Sequence, residues 1–150
     1  MKYLVNLTFL LFILVSCNQN APDTSAFDKG MAMFEKNKAI ADKTFDLFIA
    51  KDLDGMMDMY ADDVVWSPAN TLDSLSKDAL REGMTGWMTE FEVFSFNERQ
   101  YYPGVDENFV PDGSVRTYGT WEGTHTSGAK TVNKYYSCLL YTSDAADERR

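Results

Sequence analysis

Residues 50–66 read AKDLDGMMDMYADDVVW, and the order of signals inside that stretch decides the fold. Asp52 stands where a side-chain oxygen can cap a new helix, and Leu53, Met56, Met57 and Tyr60 then recur at helical spacing. Asp63-Val64-Val65-Trp66-Ser67 changes to the β-branched and aromatic composition of a strand. Pro68 stops that strand, since it brings no backbone N–H to a ladder. A short helix, a turn and a strand thus follow in quick succession.

Upstream, Ser25-Ala-Phe-Asp28 approximates a capping box. Behind it Phe27, Met31, Phe34, Lys38, Ala41, Phe45 and Phe48 form one stripe, which predicts a long amphipathic helix whose start is weakened by Gly30. Downstream, Ser76 opens a third helix with Leu80, Met84, Trp87, Met88 and Phe91 on one side. From Phe94 the period becomes two. Strands are expected over Phe94–Tyr102, Val115–Thr126 and Lys130–Ser137, parted by Pro103-Gly104, Pro111-Asp112-Gly113 and Ser127-Gly128. Three helices followed by a mostly antiparallel meander make an α+β plan, with the helices packed on one face of a curved sheet. The folded part, 26–137, is one domain without internal repeats.

The two ends read differently. Lys2 and the apolar run Tyr3–Val15 make a segment too short to span a bilayer, which takes about 20 apolar residues, but suited to a signal peptide. Leu14-Val15-Ser16-Cys17 resembles the lipobox of bacterial lipoproteins, which implies cleavage before Cys17 and acylation of that cysteine. More than one acyl chain is needed for stable anchoring, as a diacylated or triacylated Cys17 would supply. The competing reading is an ordinary signal peptide with a chance cysteine. Residues 17–25 form the lipidated cysteine and a polar tether, and the expected location is the cell envelope, at the outer rather than the inner membrane. At the other end, residues 138–150, CLLYTSDAADERR, resemble an in-frame translation of a transposon mosaic-end sequencing adapter. They are set aside from functional reasoning; the alternative is a genuine strand with an acidic tail. With Cys17 and Cys138 so assigned, no disulfide is expected. The net charge of −9 argues against nucleic acid and against anionic lipid surfaces as partners.

The stretch 50–66 is similar to the helix–turn–strand signature of the nuclear transport factor 2-like superfamily, which includes ketosteroid isomerases and SnoaL-like polyketide cyclases. The KDLDG turn, the YADDVVW segment and the later GTWEGTHTSGAK hairpin all fit, and the resemblance spans roughly residues 38–137. It implies a cone in which a bent sheet wraps the long helix and leaves a pocket at the open end. It also implies a final strand after Ser137, so the cone is expected to be truncated there. The catalytic set of the isomerases does not carry over. Their helix tyrosine falls at Thr44 or Phe45, and their two carboxylic acids at Ser67 and near Ser137. Isomerase chemistry needs a base and a donor to the enolate oxygen, so it is not expected. An epoxide-hydrolase reading would need an Asp–Arg–Asp cluster; Arg99 and Arg116 have acidic neighbours in sequence, but nothing in the spacing joins them.

His125, the only histidine, sits beside a hairpin turn, where it is either a general base or a solvated surface group. One histidine without paired ligands builds no transition-metal site, and no cofactor motif is present. Asp106, Glu107, Asn108 and Asp112 crowd a loop but match no EF-hand spacing. The aromatics carry more information. Trp66, Trp87, Phe91, Tyr101, Tyr118, Trp121 and Tyr135 are the expected pocket-lining set, with Trp121 between two glycines as a bulky ring over bare backbone. Which face of the Val115 strand points inward is open. The leading expectation is a lipid-anchored domain binding a small apolar or aromatic molecule. The alternatives are a SnoaL-like enzyme using Asp46, Glu122 or His125 as acid or base, and a scaffold domain with a vestigial pocket; a homodimer is left open.

The anchor is testable at once. Cys17→Ser is expected to leave uncleaved precursor without lipid. Membrane fractions holding a processed, acylated Cys17→Ser protein would rule out the lipobox.

Overall fold

The computed structural model describes residues 23–69 and 72–140. Cys17, the rest of the targeting segment, and the adapter-like tail from residue 141 lie outside them. Helix α1 spans Ser25–Ile49, α2 Leu53–Met57 and α3 Lys77–Glu90; strands β1 Phe91–Val105, β2 Pro111–His125 and β3 Lys130–Leu139 follow. The strands form one antiparallel sheet in the order β1-β2-β3, with α1 laid across it. This is the α+β arrangement expected, with the sheet left open.

The α1 stripe behaves as its spacing dictates in the middle and not at the start. Phe34, Ala41, Phe45 and Phe48 are buried, whereas Phe27 is 49% exposed. The cap sits one residue earlier than the Ser25 box: Thr24 is the N-cap, its backbone carbonyl accepts from the Asp28 amide, and its hydroxyl donates to Asp28 Oδ2 at 2.8 Å. At the far end the KDLDG turn explains itself. The amides of Lys51 and Asp52 return to the carbonyls of Phe48 and Leu47, a Schellman closure that puts Lys51 at φ 58. A lysine is tolerated in that glycine-favouring conformation because its ammonium donates to the Phe91 carbonyl at 2.5 Å and lies 5.9 Å from the Phe94 ring. Asp52 then caps α2, accepting from the Gly55 amide at 3.0 Å, as its position predicted. Ser76 likewise caps α3.

The strand expected over Asp63–Ser67 shrinks to a single bridge, Trp66 to Leu75, because no further strand among the described residues lies beside it. Strand β1 does the opposite and runs on through Pro103-Gly104. Proline is tolerated there because β1 is an edge strand within this sheet. The turn comes later, at Asp106, whose Oδ1 accepts from the amides of Asn108 and Val110. The acidic loop is therefore held by an Asx-type turn. The Ser127-Gly128 turn closes as expected, with Gly128 at φ 86.

Along β2, Val115, Thr117, Gly119 and Trp121 are buried or partly buried while Arg116, Tyr118 and Glu122 are exposed, so the first set is the face turned to the helix; Thr120 is buried on the other face, beneath Glu98 and Lys134. Two apolar clusters lie under α1. Phe34, Ala41 and Val115 hold its N-terminal half; Phe48, Met56, Met88, Phe91 and Phe94 hold its C-terminal half together with α2 and α3. Trp87, expected in this core, is 50% exposed and stacks on Phe91 from outside at 5.5 Å.

Phe48 joins these layers, with its ring 4.8 Å from Phe94 and 5.3 Å from Trp121. Phe48→Ala is expected to cost about 3–5 kcal/mol in denaturant unfolding, as buried aromatic truncations do. A loss well under about 1 kcal/mol would place that helix face in solvent.

Candidate functional site

The site begins with a defect in strand pairing. Residues Phe94 and Phe96 of β1 face the helix, and simple alternation would send residue 98 the same way. The register instead slips between Asn97 and Gln100, and Glu98 takes φ 55. This β-bulge resets the parity. Glu98 goes to the outer face, where Oε2 accepts from Thr120 at 2.9 Å and from Lys134 at 3.1 Å. Arg99 and Tyr101 now point to α1. A left-handed conformation at a non-glycine residue is costly, and these bonds help to hold it.

Across from Arg99 and Tyr101 stand Asp42 and Asp46, one helical turn apart on α1. Arg99 Nη1 donates to Asp42 at 2.6 Å and to Asp46 at 2.9 Å, and the Tyr101 hydroxyl donates to Asp42 at 2.5 Å. Burial raises the Asp42 pKa, but hydrogen bonds from Tyr101 and Arg99 and the charges of Arg99 and Lys38 outweigh it, so the carboxyl sits below its usual range. The Tyr101 phenol is pushed up by burial and by donation to that carboxylate, and stays protonated. The Asp–Arg–Asp cluster for which the spacing gave no support is thus assembled, through Arg99. Asp46 belongs to it, and Asp42 is a member that sequence reasoning missed.

The Arg99 guanidinium also lies 5.4 Å from the Phe96 ring centroid. From there an aromatic wall extends under the helix. Phe96 stacks on Trp121 at 4.4 Å and 11°, and Phe45 meets Phe96, Trp121 and Tyr135 at 4.8, 6.0 and 5.8 Å. Gly119 makes room for this: a Cβ there would collide with the Phe96 ring, as one at Gly123 would crowd Phe91. The glycines flanking Trp121 therefore accept rings from β1. Two phenols interrupt the wall. Tyr60 packs against the same cluster, and burial raises its pKa, with Tyr135 adding to the shift. Burial likewise raises that of Tyr135. Both remain neutral hydrogen-bond donors throughout the physiological range.

The expected lining residues divide accordingly. Phe91, Trp121 and Tyr135 share the helix-covered side, and Tyr101 belongs to the charged cluster. Trp66 lies at the periphery over Gly83, and Trp87 is on the outside of Phe91. Tyr118 is on the opposite face of the sheet, 42% exposed. Among the candidate acids and bases, Glu122 is exposed. His125 serves its turn: Nδ1 accepts from the Ser127 amide at 3.1 Å and lies 2.9 Å from its hydroxyl, while the ring packs edge-on to Phe91. Among the described residues no group of histidine, cysteine and carboxylate side chains could hold a metal ion.

Neither a family model nor a curated protein matches this chain. Solved structures do. An NTF2-like protein of unknown function from Exiguobacterium sp. 255-15 superposes with a TM-score of 0.59 at 15% identity, over 70% of this chain and 88% of that one. A Bacillus subtilis protein provisionally described as an isomerase gives 0.60 at 16% identity, over 73% and 80%. AusH from Aspergillus nidulans gives 0.58 at 14% identity, over 71% and 73%. The chain therefore has the NTF2-like fold that residues 50–66 resembled, and at these identities the likeness concerns the fold alone.

The charged cluster has a pH signature. Because Asp42 is depressed in the folded state, its contribution to stability is present above the unfolded-state value, about 4, and is lost as pH falls through the folded one. Asp42→Asn is expected to flatten the acid limb of a melting-temperature profile. An unchanged acid limb would mean that Asp42 is solvated in the folded protein.

Proposed function

We propose that this chain is an exported domain, anchored by lipid on Cys17, that binds a small apolar or aromatic molecule carrying a hydrogen-bond acceptor against the helix-covered face of its sheet. The observation that carries this reading is the wall of Phe45, Phe96, Trp121 and Tyr135, into which burial sets two neutral phenols, Tyr60 and Tyr135. Apolar walls with a few placed polar groups are what small-molecule sites require: the rings supply affinity and the donors fix orientation. The neighbours of this fold include one described as an isomerase, which agrees with a ligand-accepting interior.

A second reading, a SnoaL-like enzyme, draws support from one feature. Asp42 is an ionised carboxylate oriented by Arg99 and Tyr101, and Arg99 lies against the end of the aromatic wall. Ionised at neutral pH, such a group has no proton to give and can act only as a base, and its lowered pKa makes it a weak one. Turnover of a polycyclic carbonyl or epoxide substrate, abolished by Asp42→Asn and by Arg99→Met, would decide for the enzyme.

The binding reading is tested by fluorescence. Aromatic ketones should quench tryptophan emission saturably, and Trp121→Phe should remove most of the quenching. Tyr135→Phe should weaken a ketone about three- to tenfold, the worth of one hydrogen bond, while leaving the parent hydrocarbon unaffected. No saturable quenching across the series would favour the scaffold alternative.

A further inference from the structure

The end of the sheet where β1 turns into β2 carries an anomaly that neither the core nor the proposed interior site uses. The Asp106 amide donates to the Val110 carbonyl at 2.8 Å and Val105 pairs with Pro111, which leaves Glu107, Asn108 and Phe109 as a three-residue hairpin loop. In such loops the last residue commonly turns left-handed and is glycine by preference. Here it is Phe109, at φ 60 and 84% exposed. A single phenylalanine in water is ordinary, but a bulky residue held there at positive φ is not. Asp106 fixes the conformation, its carboxylate accepting from the amides of Asn108 and Val110 at 2.8 and 2.9 Å. The loop thus holds an apolar ring out into solvent at a cost in backbone strain.

Helix α1 brings a second phenylalanine to the same end. It runs in the direction of β2: a Cβ on Gly30 would collide with the Pro111 carbonyl, Asn37 donates to the Gly113 carbonyl at 2.8 Å, and Phe48 meets Trp121. The start of α1 therefore lies toward the 106–110 loop, and Phe27, almost one turn before Gly30, is 49% exposed. From this end the chain also leads back to Cys17. Ser25, the first residue of α1, is the eighth after Cys17, so covalent geometry alone keeps the two within about 30 Å.

We infer that this end of the domain rests on the bilayer that holds the anchor, with the Phe109 ring inserted at the headgroup boundary and Phe27 beside it. The inference rests on the lipid anchor proposed above. One aromatic side chain binds a membrane weakly, but acyl chains on Cys17 confine it close to the surface, where it has only to orient the domain. Charge selects the lipid. Asp23, Asp28, Asp106 and Glu107 stand against Lys29 here, so a zwitterionic surface suits this end and an anionic one repels it.

The test uses the full-length, processed chain with Cys138→Ser, so that the thiol of Asn108→Cys takes a polarity-sensitive fluorophore. In phosphatidylcholine vesicles the label should emit to the blue and be quenched by nitroxide lipids. The same label on Ala129→Cys, in the hairpin at the other end of the sheet, should stay in water. Phe109→Gly should remove most of the quenching and Phe27→Ala part of it. The melting temperature of Phe109→Gly should lie close to or above the parent's, because glycine adopts a positive φ without strain; a ring kept for packing would give the reverse and overturn the inference. Vesicles containing phosphatidylglycerol should quench less, and stronger quenching there would overturn the choice of lipid. An acylated, vesicle-bound protein whose residue 108 label is unquenched would overturn the inference and leave the anchor standing. A chain without acyl groups that fails to float with vesicles would overturn both. Blue-shifted emission without nitroxide quenching would also overturn it, since a protein partner would then cover the loop.

Discussion

The register slip in β1 is the constraint on which the rest of this molecule depends. Without the extra residue between Asn97 and Gln100, the strand would carry the parity set by Phe94 and Phe96 on through Tyr101. Arg99 and Tyr101 would then face solvent, and Glu98 would be driven beneath a helix that already carries Asp42 and Asp46. The bulge reverses both placements. It leaves Phe94 and Phe96 in the aromatic wall, supplies a cation and a phenol for the two aspartates, and sends Glu98 outward to Thr120 and Lys134. One strained residue thus separates an apolar half of the strand from a charged half. The strain is offset by the bonds it allows.

The second determinant is bare backbone. Phe96 sits where Gly119 has no side chain, and it stacks on Trp121 because that space is open. Any side chain at residue 119 would push the ring away from both Trp121 and Arg99. The aromatic wall and the charged cluster are therefore coupled through a single ring. A change at either should be felt by the other, in keeping with the dense packing of protein interiors.

Much of the fold was legible in the sequence, because it rests on periodicity and local chemistry. The α1 stripe, the Asp52 and Ser76 caps, the Ser127-Gly128 turn and the helix–turn stretch of 50–66 each depend on neighbours a few residues away. The short first strand was over-read, since whether Asp63–Ser67 pairs is settled by strands distant in the chain. The site was legible only in part. Trp121 and its flanking glycines pointed to close ring packing, and Asp46 was among the candidate acids. Asp42 and Arg99 were not joined, because joining them requires knowing that β1 changes parity at Glu98. Nothing in a glutamate marks it for a left-handed conformation; a glycine there would have been the usual sign. Tyr118 was misplaced for a simpler reason: alternation gives two faces and does not say which one the helix covers.

The two rims of the sheet have unequal consequences for association. Strand β1 is blunted by its bulge and by Pro103, which offers no amide. Strand β3 pairs with β2 without a slip from Lys130 to Leu139 and carries neither device. Among the described residues its outer row of amides and carbonyls faces no other strand. Among the described residues the β3 rim is thus the one better suited to take a further strand, whether by orderly addition or by aggregation. Charge at exposed Lys130 is the brake the sequence places there, since Lys134 is paired with Glu98, and it weakens as salt rises.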